Sequence, residues 1–276
     1  MSGTVFLSDA RTVVIYPANI GTFTTPPHGD ALKHLPEAFE HLWHVNDPQY
    51  RNYALRCRSR DSVVQEAVAE HGVDELFKKA ASTETQADLH RITAPIDRLP
   101  PMLRQACRTV ANTTLGTQRE AYGLDLFAER YECVVERPAN RFQAISAAAP
   151  SYIVLVRGRV DGLTTIDGKK VVLEVKTRTR RLTRRIGPER AQLEMYLRLL
   201  NCERGLLIET YGATMQVNEY RRNDEYYNAL MGRLAQFVER FVVFLNSPAE
   251  KKRYADMCEQ ARQQYVARMI TGSRRD

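Results

Sequence analysis

Three residues near the middle of the chain have the types and spacing that cleavage of a phosphodiester bond requires. Asp161 stands thirteen residues before Glu174, and Lys176 follows Glu174 by two positions. Carboxylate oxygens bind divalent cations, and a nearby lysine can orient an attacking water and offset charge in the transition state. The alternative is a solvated ion pair on a strand surface, which is the usual state of charged side chains.

A turn between these residues predicts how they are brought together. Asp-Gly at 167–168 is a strong signal for a two-residue hairpin, because both central positions of a type I′ turn need positive φ. In that register, paired residue numbers add up to 335, as 167 and 168 do, so Asp161 lies opposite Glu174. Val160 then lies opposite Val175, and we expect both valines on one face and both carboxylates on the other.

The predicted pairing places like charges side by side. Directly opposed residues lie about 5 Å apart at Cβ, and two carboxylates in that arrangement repel each other. A divalent cation between Asp161 and Glu174 would remove the repulsion, and the Val175 carbonyl would add a third hard oxygen ligand. This ligand set suits Mg²⁺, which keeps several waters, and Mn²⁺ is expected to substitute for it. Lys176 shares the face of Glu174, since side chains alternate along a strand.

The elements that must hold these residues predict an α/β fold with a central mixed sheet flanked by helices. Apolar runs bounded by turn residues predict strands between residues 132 and 177 and again between 205 and 221. Apolar residues at helical spacing predict helices over 102–111, 121–131, 188–201 and 230–245. Residues 1–50 are expected to be irregular, 51–80 helical, and 81–101 a linker.

We expect three parts in the chain. Residues 1–100 form a partly helical N-terminal extension, 101–246 form the core that carries the candidate site, and 247–276 form a C-terminal helix beside that core. Ser247, Pro248 and Glu250 have the pattern of a helix start.

Composition restricts the partners and the compartment. A net charge of +7 and a pI near 9.2 favour a polyanion such as nucleic acid, with an anionic membrane surface as the competing interpretation. The five cysteines form no Cys-x-x-Cys pair, so neither a zinc site nor an iron–sulfur cluster is expected. With no signal-peptide pattern and no long apolar run, we expect a soluble intracellular protein of the cytoplasm or nucleus.

These motifs together resemble the signature of the PD-(D/E)xK nuclease superfamily. Val-Asp-Gly at 160–162 and Glu-Val-Lys at 174–176 are similar to its two acidic motifs. Gly-Thr-Gln-Arg-Glu at 116–120 resembles the helix that carries a further metal-site glutamate in lambda-type exonucleases. Gln192 and Tyr196 resemble the Gln-x-x-x-Tyr motif of RecB-like members. The resemblance covers roughly residues 112–246, whereas residues 1–100 match no pattern.

The resemblance implies the roles of the site residues. Catalytic roles fall to Glu120, Asp161, Glu174, Lys176, Gln192 and Tyr196, with Glu120, Asp161, Glu174 and Val175 as metal ligands. A substrate backbone is expected to pass between the strand and the next helix, where its phosphates would contact Arg178, Arg180, Arg181, Arg184 and Arg185. The segment after Lys176 is similar to a basic segment in the lambda-type exonucleases of large DNA viruses, which points especially to Arg178 and Arg181. Arginine suits this task because its planar fork can hold a phosphate bidentately.

Each of these residues also has a structural interpretation. Glu120 stands three residues after Thr117, which is the spacing of a helix capping box. Asp161 precedes a glycine and fits an ordinary turn. Gln192 and Tyr196 lie one helical turn apart and fit a surface contact, and the arginine run fits a solvated basic face.

The sequence therefore predicts a Mg²⁺-dependent exonuclease that acts on DNA in recombination, repair or the processing of replication ends. A single-strand-annealing or replication protein is the expected protein partner, and no membrane partner is expected. The alternatives are an endonuclease of the same fold that acts on DNA or RNA, and a basic nucleic-acid-binding protein with a vestigial site. Oligomeric state, strand polarity and end preference stay open.

Overall fold

The computed structural model describes residues 10–27, 29, 31–50, 52–53, 60–81, 86–178, 181–183 and 189–273. Its strands are β1 (Arg11–Ile15), β2 (Val135–Glu136), β3 (Phe142–Ala149), β4 (Tyr152–Gly158), β5 (Gly162–Ile166), β6 (Lys169–Thr177), β7 (Arg204–Tyr211) and β8 (Thr214–Arg221). Its α-helices are α1 (Pro17–Thr24), α2 (Ala31–Asn46), α3 (Arg60–His71), α4 (Asp74–Ala81), α5 (Gln86–Thr93), α6 (Pro101–Tyr131), α7 (Glu189–Leu199), α8 (Asp224–Asn246), α9 (Pro248–Asp256) and α10 (Glu259–Thr271). Short 3₁₀ turns cover Pro48–Tyr50 and Ala94–Arg98.

The larger sheet has five strands in the order β2-β5-β6-β7-β8. Strands β6 and β7 are parallel, and the other neighbours are antiparallel. Asp167 and Gly168 both have positive φ, at 54° and 71°, so the predicted hairpin is present. Its ladder has the predicted register, in which paired numbers add up to 335.

Strand β6 lies in the middle of this sheet and is covered on both faces. Leu173 and Val175 pack on one face against Leu124 and Phe127 of helix α6. Val172 packs on the other face in a cluster with residues of helix α7. Because both faces are buried, the sequence of β6 is a nearly continuous apolar run, and Glu174 is an unusual residue within it.

The smaller sheet has three strands in the order β1-β4-β3, with β1 parallel to β4. It encloses an apolar cluster with α1, α2 and the C-terminal helices α8, α9 and α10. The expectation that residues 1–50 are irregular is therefore wrong for the described part of that segment. Val13, Phe39 and Trp43 are fully buried. Strand β1 pairs with a strand far along the chain, and Pro36 lies inside α2, so local patterns predict neither element.

Helices α3 and α4 and the 3₁₀ turn at Ala94–Arg98 pack near the first half of α6 around a small apolar cluster. Its buried members are Ala67, Val73, Ile96, Leu99, Leu103 and Cys107. The expectation of a linker over 81–101 is wrong for residues 86–101, which form α5, a 3₁₀ turn and the start of α6. The segment buries only a few apolar side chains, such as Ile96 and Leu99, so its sequence is polar overall and resembles that of a linker.

The predicted fold class is confirmed, since mixed sheets are flanked by helices on an α/β plan. The second, three-stranded sheet is an addition to the single sheet that the sequence predicts. The cluster that includes Val13, Val154 and Phe241 joins parts of the three predicted segments, and their division stays a prediction. In the described residues, none of the helices has the length and apolar character that crossing a membrane would require.

A buried ion pair connects helix α9 to helix α2. Lys251 and Asp47 are 4% and 3% exposed, and the Lys251 Nζ lies 2.6 Å from the Asp47 Oδ2. The indole of Trp43 donates to the same oxygen at 3.0 Å, and the Gln49 N–H donates to Oδ1 at 2.9 Å. Burial alone would raise the pKa of Asp47, but the hydrogen bonds from Lys251 and Trp43 hold it below its ordinary value.

We expect Lys251→Met to destabilise the protein by about 3–5 kcal/mol, because it leaves the Asp47 carboxylate buried without its cation. The neighbouring exposed residue provides the control, and Lys252→Met should change stability by no more than about 0.5 kcal/mol. Urea denaturation at neutral pH measures both values. Equal stability of the two variants would show that the Lys251–Asp47 pair contributes nothing to the fold.

Candidate active site

The chain passes from the smaller sheet to the larger one through a bend at residues 159–161. A Cβ on Gly158 would lie 2.7 Å from the ring of Tyr196 and 2.8 Å from the ring of Pro17, so glycine permits both to approach. The hydroxyl of Tyr196 donates to the carbonyl of Arg159 at 2.8 Å. Helix α7 therefore holds the bend that presents Asp161.

Asp161 is fixed by a hydrogen bond from the backbone of strand β6. Its Oδ2 accepts from the N–H of Val175 at 2.7 Å. The β5–β6 ladder ends at Gly162 and Leu173, so the predicted backbone pair of Asp161 and Glu174 is not formed, and the Asp161 side chain bonds to the backbone of Val175 instead. Burial raises the pKa of Asp161, while the Val175 N–H and the Lys176 ammonium oppose that rise.

The predicted orientation of the two valines is wrong. Val160 packs in the cluster beside helix α7, whereas Val175 packs in the cluster beneath helix α6 on the other face of the sheet. The bend is the reason for this difference. Residues 159–161 lie outside the pleated strands, so the alternation of side chains along a strand does not extend to Val160.

Glu174 is the most deeply buried member of the site, with 1% exposure. Its Oε1 lies 2.5 Å from the Nζ of Lys176, and its Oε2 is buried without a hydrogen-bond partner among the described residues. Burial raises the pKa of Glu174 to about 8, although Lys176 opposes the rise. The solvated ion pair is therefore excluded for these two side chains, since the Lys176 side chain is 33% exposed and Glu174 is nearly inaccessible.

Glu120 reaches the same site from helix α6. Burial and then the negative charge of Asp161 raise the pKa of Glu120 to about 7. The capping-box interpretation is wrong, because α6 runs without interruption from Pro101 to Tyr131 and places Glu120 in its interior. The Glu120 carboxylate is thus a third acid within electrostatic range of the Asp161 and Glu174 carboxylates.

The close approach of helix α6 to the sheet depends on Gly123. A Cβ at this position would lie 2.6 Å from the Cγ1 of Val175 and 3.5 Å from the Cγ2 of Thr210. Real contacts are not as short as the first of these distances, so any side chain at position 123 would push the helix or Val175 aside. Gly123 stands one helical turn from Glu120 and therefore sets how near that carboxylate lies to the strand.

Gln192 and Tyr196 lie together on helix α7, one turn apart, as the sequence predicts. Tyr196 is 4% exposed, and its hydroxyl has a side-chain hydrogen bond with Gln192 as well as its bond to the Arg159 carbonyl. Burial and the nearby charge of Glu174 raise the pKa of Tyr196 far above its ordinary value. The hydroxyl therefore stays protonated and serves as a hydrogen-bond donor.

Arg178 has a different role from the one that the resemblance implies. Its Nε lies 2.6 Å from the Oε1 of Glu209, and its terminal nitrogen lies 2.9 Å from the Oε1 of Glu189. Thr183 also donates to Glu209, from both its hydroxyl and its backbone N–H. With 20% side-chain exposure, Arg178 ties the segment after β6 to β7 and α7 and is not an open phosphate contact. Arg181 is exposed.

The other three predicted phosphate contacts, Arg180, Arg184 and Arg185, lie outside the described residues. Sequence reasoning missed Glu209, which is fully buried and pairs in register with Lys176 on the parallel strand. The sequence feature that could have identified Glu209 is the presence of an acid in the otherwise apolar strand β7. Sequence reasoning also missed Glu189, a buried carboxylate in the first turn of α7.

The oxygen atoms at the site are suited to bind a divalent cation with only a few protein ligands. Among the described residues, no three His, Cys, Asp or Glu side chains form a ready-made cage. Mg²⁺ does not need one, because it keeps several waters and is often bound by one or two carboxylates. The unpartnered Oε2 of Glu174 and the second oxygen of Asp161 can supply these ligands. The Val175 carbonyl points to the same strand edge as its N–H, which faces Asp161.

Three solved proteins have a weak structural similarity to the chain. No protein-family model and no curated sequence matches the chain. The crystal structure of SSO0001 matches with a TM-score of 0.39 and 13% identity, over 68% of this chain and 86% of that chain. An alkaline exonuclease from Laribacter hongkongensis, also solved in complex with dAMP, matches at 0.38 and 10%, over 72% and 98%. A phage-related exonuclease from Haemophilus somnus 129PT matches at 0.32 and 11%, over 71% and 93%. Scores and identities this low carry no argument about the reaction.

The first prediction from this geometry concerns stability without metal. Glu174→Gln and Asp161→Asn should melt in EDTA at or above the wild-type temperature, because each removes a charge that faces another carboxylate, and Lys176, which is 33% exposed, keeps the remaining carboxylate as its counter-charge. Adding Mg²⁺ or Mn²⁺ should raise the melting temperature of wild type and leave both variants unchanged, since only a bound cation stabilises the folded state.

Glu136→Gln is the control, because it neutralises an exposed carboxylate on β2 of the same sheet and should respond to metal as wild type does. A fall of several degrees for either site variant in EDTA would mean that the two carboxylates are structural.

The second prediction separates two glycines of helix α6. Gly123→Ala should lower stability by about 1–3 kcal/mol through overpacking and abolish the stabilisation by Mn²⁺, because it displaces Glu120 from the site. Gly116→Ala places its methyl group in open space and should stabilise the helix by about 0.5–1 kcal/mol without changing the response to metal. Identical melting behaviour of the two variants would refute the close approach at Gly123.

Proposed function

We propose that this chain is a Mg²⁺-dependent nuclease of the PD-(D/E)xK type that hydrolyses phosphodiester bonds in DNA as an exonuclease. The observation that carries the proposal is the buried Glu174 carboxylate beside Asp161, which has one oxygen ion-paired with Lys176 and the other without a partner among the described residues. Glu120 adds a third carboxylate to this group.

A purely structural role explains this group poorly. Burying a carboxylate without full hydrogen bonding is costly, and a second and third acid nearby increase the cost. Replacement of such groups by apolar residues would stabilise most folds. The presence of three acids at one site, with Glu174 fully buried, therefore supports a role in which they hold a cation.

Each side chain of the site has a separate role in the proposed hydrolysis. A bound Mg²⁺ would acidify the attacking water and stabilise charge on the phosphate oxygens. Asp161 and Glu174 would hold the ion, and Glu120 would add a third carboxylate beside it. Lys176 keeps its proton, since burial lowers its pKa but the charges of Glu174, Asp161 and Glu189 together outweigh burial and raise it. Its ammonium can therefore orient the water and offset negative charge as the bond breaks. Tyr196 acts indirectly by holding the bend before Asp161.

The choice of an exonuclease acting on DNA rests on the order of motifs that resembles lambda-type exonucleases. A basic chain with the exposed Arg181 beyond the catalytic strand supports a polyanionic substrate. Recombination, repair or the processing of replication ends is the proposed context, with a single-strand-annealing or replication protein as partner. An endonuclease of the same fold is the alternative that the experiment below distinguishes.

The test uses end-labelled linear DNA and covalently closed circular DNA, with Mg²⁺, Mn²⁺ or EDTA. Wild type should degrade linear DNA only with a metal ion and leave closed circles intact. Circles cut as readily as linear duplex would exclude strict dependence on ends, and no cleavage of DNA or RNA under any metal condition would refute the nuclease.

The matched variants are Lys176→Ala and Arg181→Ala. Lys176→Ala should slow single-turnover cleavage by about 10²–10³-fold, because it removes transition-state stabilisation, while binding in Ca²⁺ stays close to wild type. Arg181→Ala should weaken binding to all sequences. It should also reduce the slope of log K against log salt by the amount that corresponds to about one phosphate contact. Wild-type cleavage by Lys176→Ala would remove the lysine from the chemistry.

A further inference from the structure

Two arginines stand at the rim of the candidate site, at the end of the β3–β4 ladder. The last pair of that ladder is Phe142 and Gly158, and Arg141 and Arg159 are the next residue on each strand. Both side chains are exposed. Continuation of the register would place them opposite each other, where like charges repel.

Neither arginine has an acidic partner within ion-pair distance among the residues that the structure describes. Other arginines of the described chain do have one. Arg178, Arg198 and Arg262 each contact a buried glutamate. Two unneutralised cations at adjacent strand ends form an arrangement that an anion between them would stabilise.

Arg159 is also within electrostatic reach of the candidate metal site. It belongs to the bend at residues 159–161 that presents Asp161. Its backbone is held in place, because the carbonyl accepts the hydrogen bond of Tyr196. The guanidinium of Arg159 therefore extends from a rigid point two residues from Asp161.

Arg141 is supported from the other side by the N-terminal segment. Its guanidinium lies 5.9 Å from the ring centroid of Tyr16, a distance at which a cation and an aromatic face attract. Tyr16 directly precedes Pro17, which packs close to Gly158 at the end of β4. Strand β1, the start of α1 and the β3–β4 ladder thus build one basic edge beside the site.

We propose that Arg141 and Arg159 bind consecutive backbone phosphates of the nucleic-acid strand whose phosphodiester bond lies at Asp161 and Glu174. The strand then leaves the site over the end of the β3–β4 ladder toward Tyr16. This assignment rests on the proposed nuclease function and adds the path of the substrate. Phosphate contacts of this kind fix position and do not read sequence.

The experiment measures binding of a fluorescent single-stranded DNA oligonucleotide in Ca²⁺ over a range of salt concentrations. Arg141→Gln and Arg159→Gln should each weaken binding several-fold and reduce the slope of log K against log salt by about 0.7, the value for one single-strand phosphate. The double variant should lose about twice that slope. Arg141→Lys and Arg159→Lys should retain much of the binding, because the charge remains.

The control is Arg221→Gln, which neutralises an exposed arginine at the end of β8, where its partner is Glu219. This variant should keep the wild-type slope. Melting temperatures of all variants exclude loss of folding as the cause of weak binding.

The two proposals fail in different ways. A wild type that cleaves DNA, with a double variant that binds it at the wild-type slope, would refute the arginine path and leave the nuclease standing. A wild type that neither binds nor cleaves nucleic acid with any divalent cation would refute both. Loss of slope in Arg221→Gln equal to that in the rim variants would show a diffuse basic surface and refute the assigned path.

Discussion

The buried carboxylate of Glu174 is the constraint on which the arrangement around the site depends. An acid at 1% exposure in the central strand of a sheet opposes folding unless something satisfies its oxygens. Lys176 satisfies one oxygen, and the other has no partner in the described chain. A bound cation would offset the cost of this placement at the proposed site.

Two long-range packing arrangements present the other acids to Glu174. Helix α6 lies against the sheet at Gly123, where the absence of a side chain lets the backbone come close enough to bring Glu120 near. Helix α7 holds the bend between the two sheets through the hydroxyl of Tyr196. The bend, in turn, places Asp161 against the backbone of Val175. Thus a glycine and a tyrosine with no direct chemistry determine the geometry of the carboxylates.

The basic segment after strand β6 contains residues with opposite tasks. Arg178 is held between Glu209 and Glu189 and serves the fold, because it fastens the segment to a strand and a helix. Arg181 remains exposed. A count of arginines therefore overstates the number available to a substrate. Of the two arginines at the end of the β3–β4 ladder, which belong to no sequence motif, Arg159 stands two residues before Asp161 and its charge acts on that carboxylate.

The sequence by itself determined the features that depend on neighbouring residues. The Asp-Gly turn set the β5–β6 register, and the apolar stripe from Leu230 to Leu245 predicted helix α8, whose buried face it forms. The order of the acidic and lysine motifs predicted which residues meet, since a hairpin brings together positions that the turn relates by simple arithmetic.

Only the tertiary structure decided what depends on contacts between distant segments. The pairing of β1 with β4, the separate faces of Val160 and Val175, and the neutralisation of Arg178 by Glu209 all arise this way. The physical reason is that periodicity and turn chemistry record the local path of the backbone. They do not record which sheet a strand joins, how closely a helix approaches it, or which buried acid a given arginine will meet.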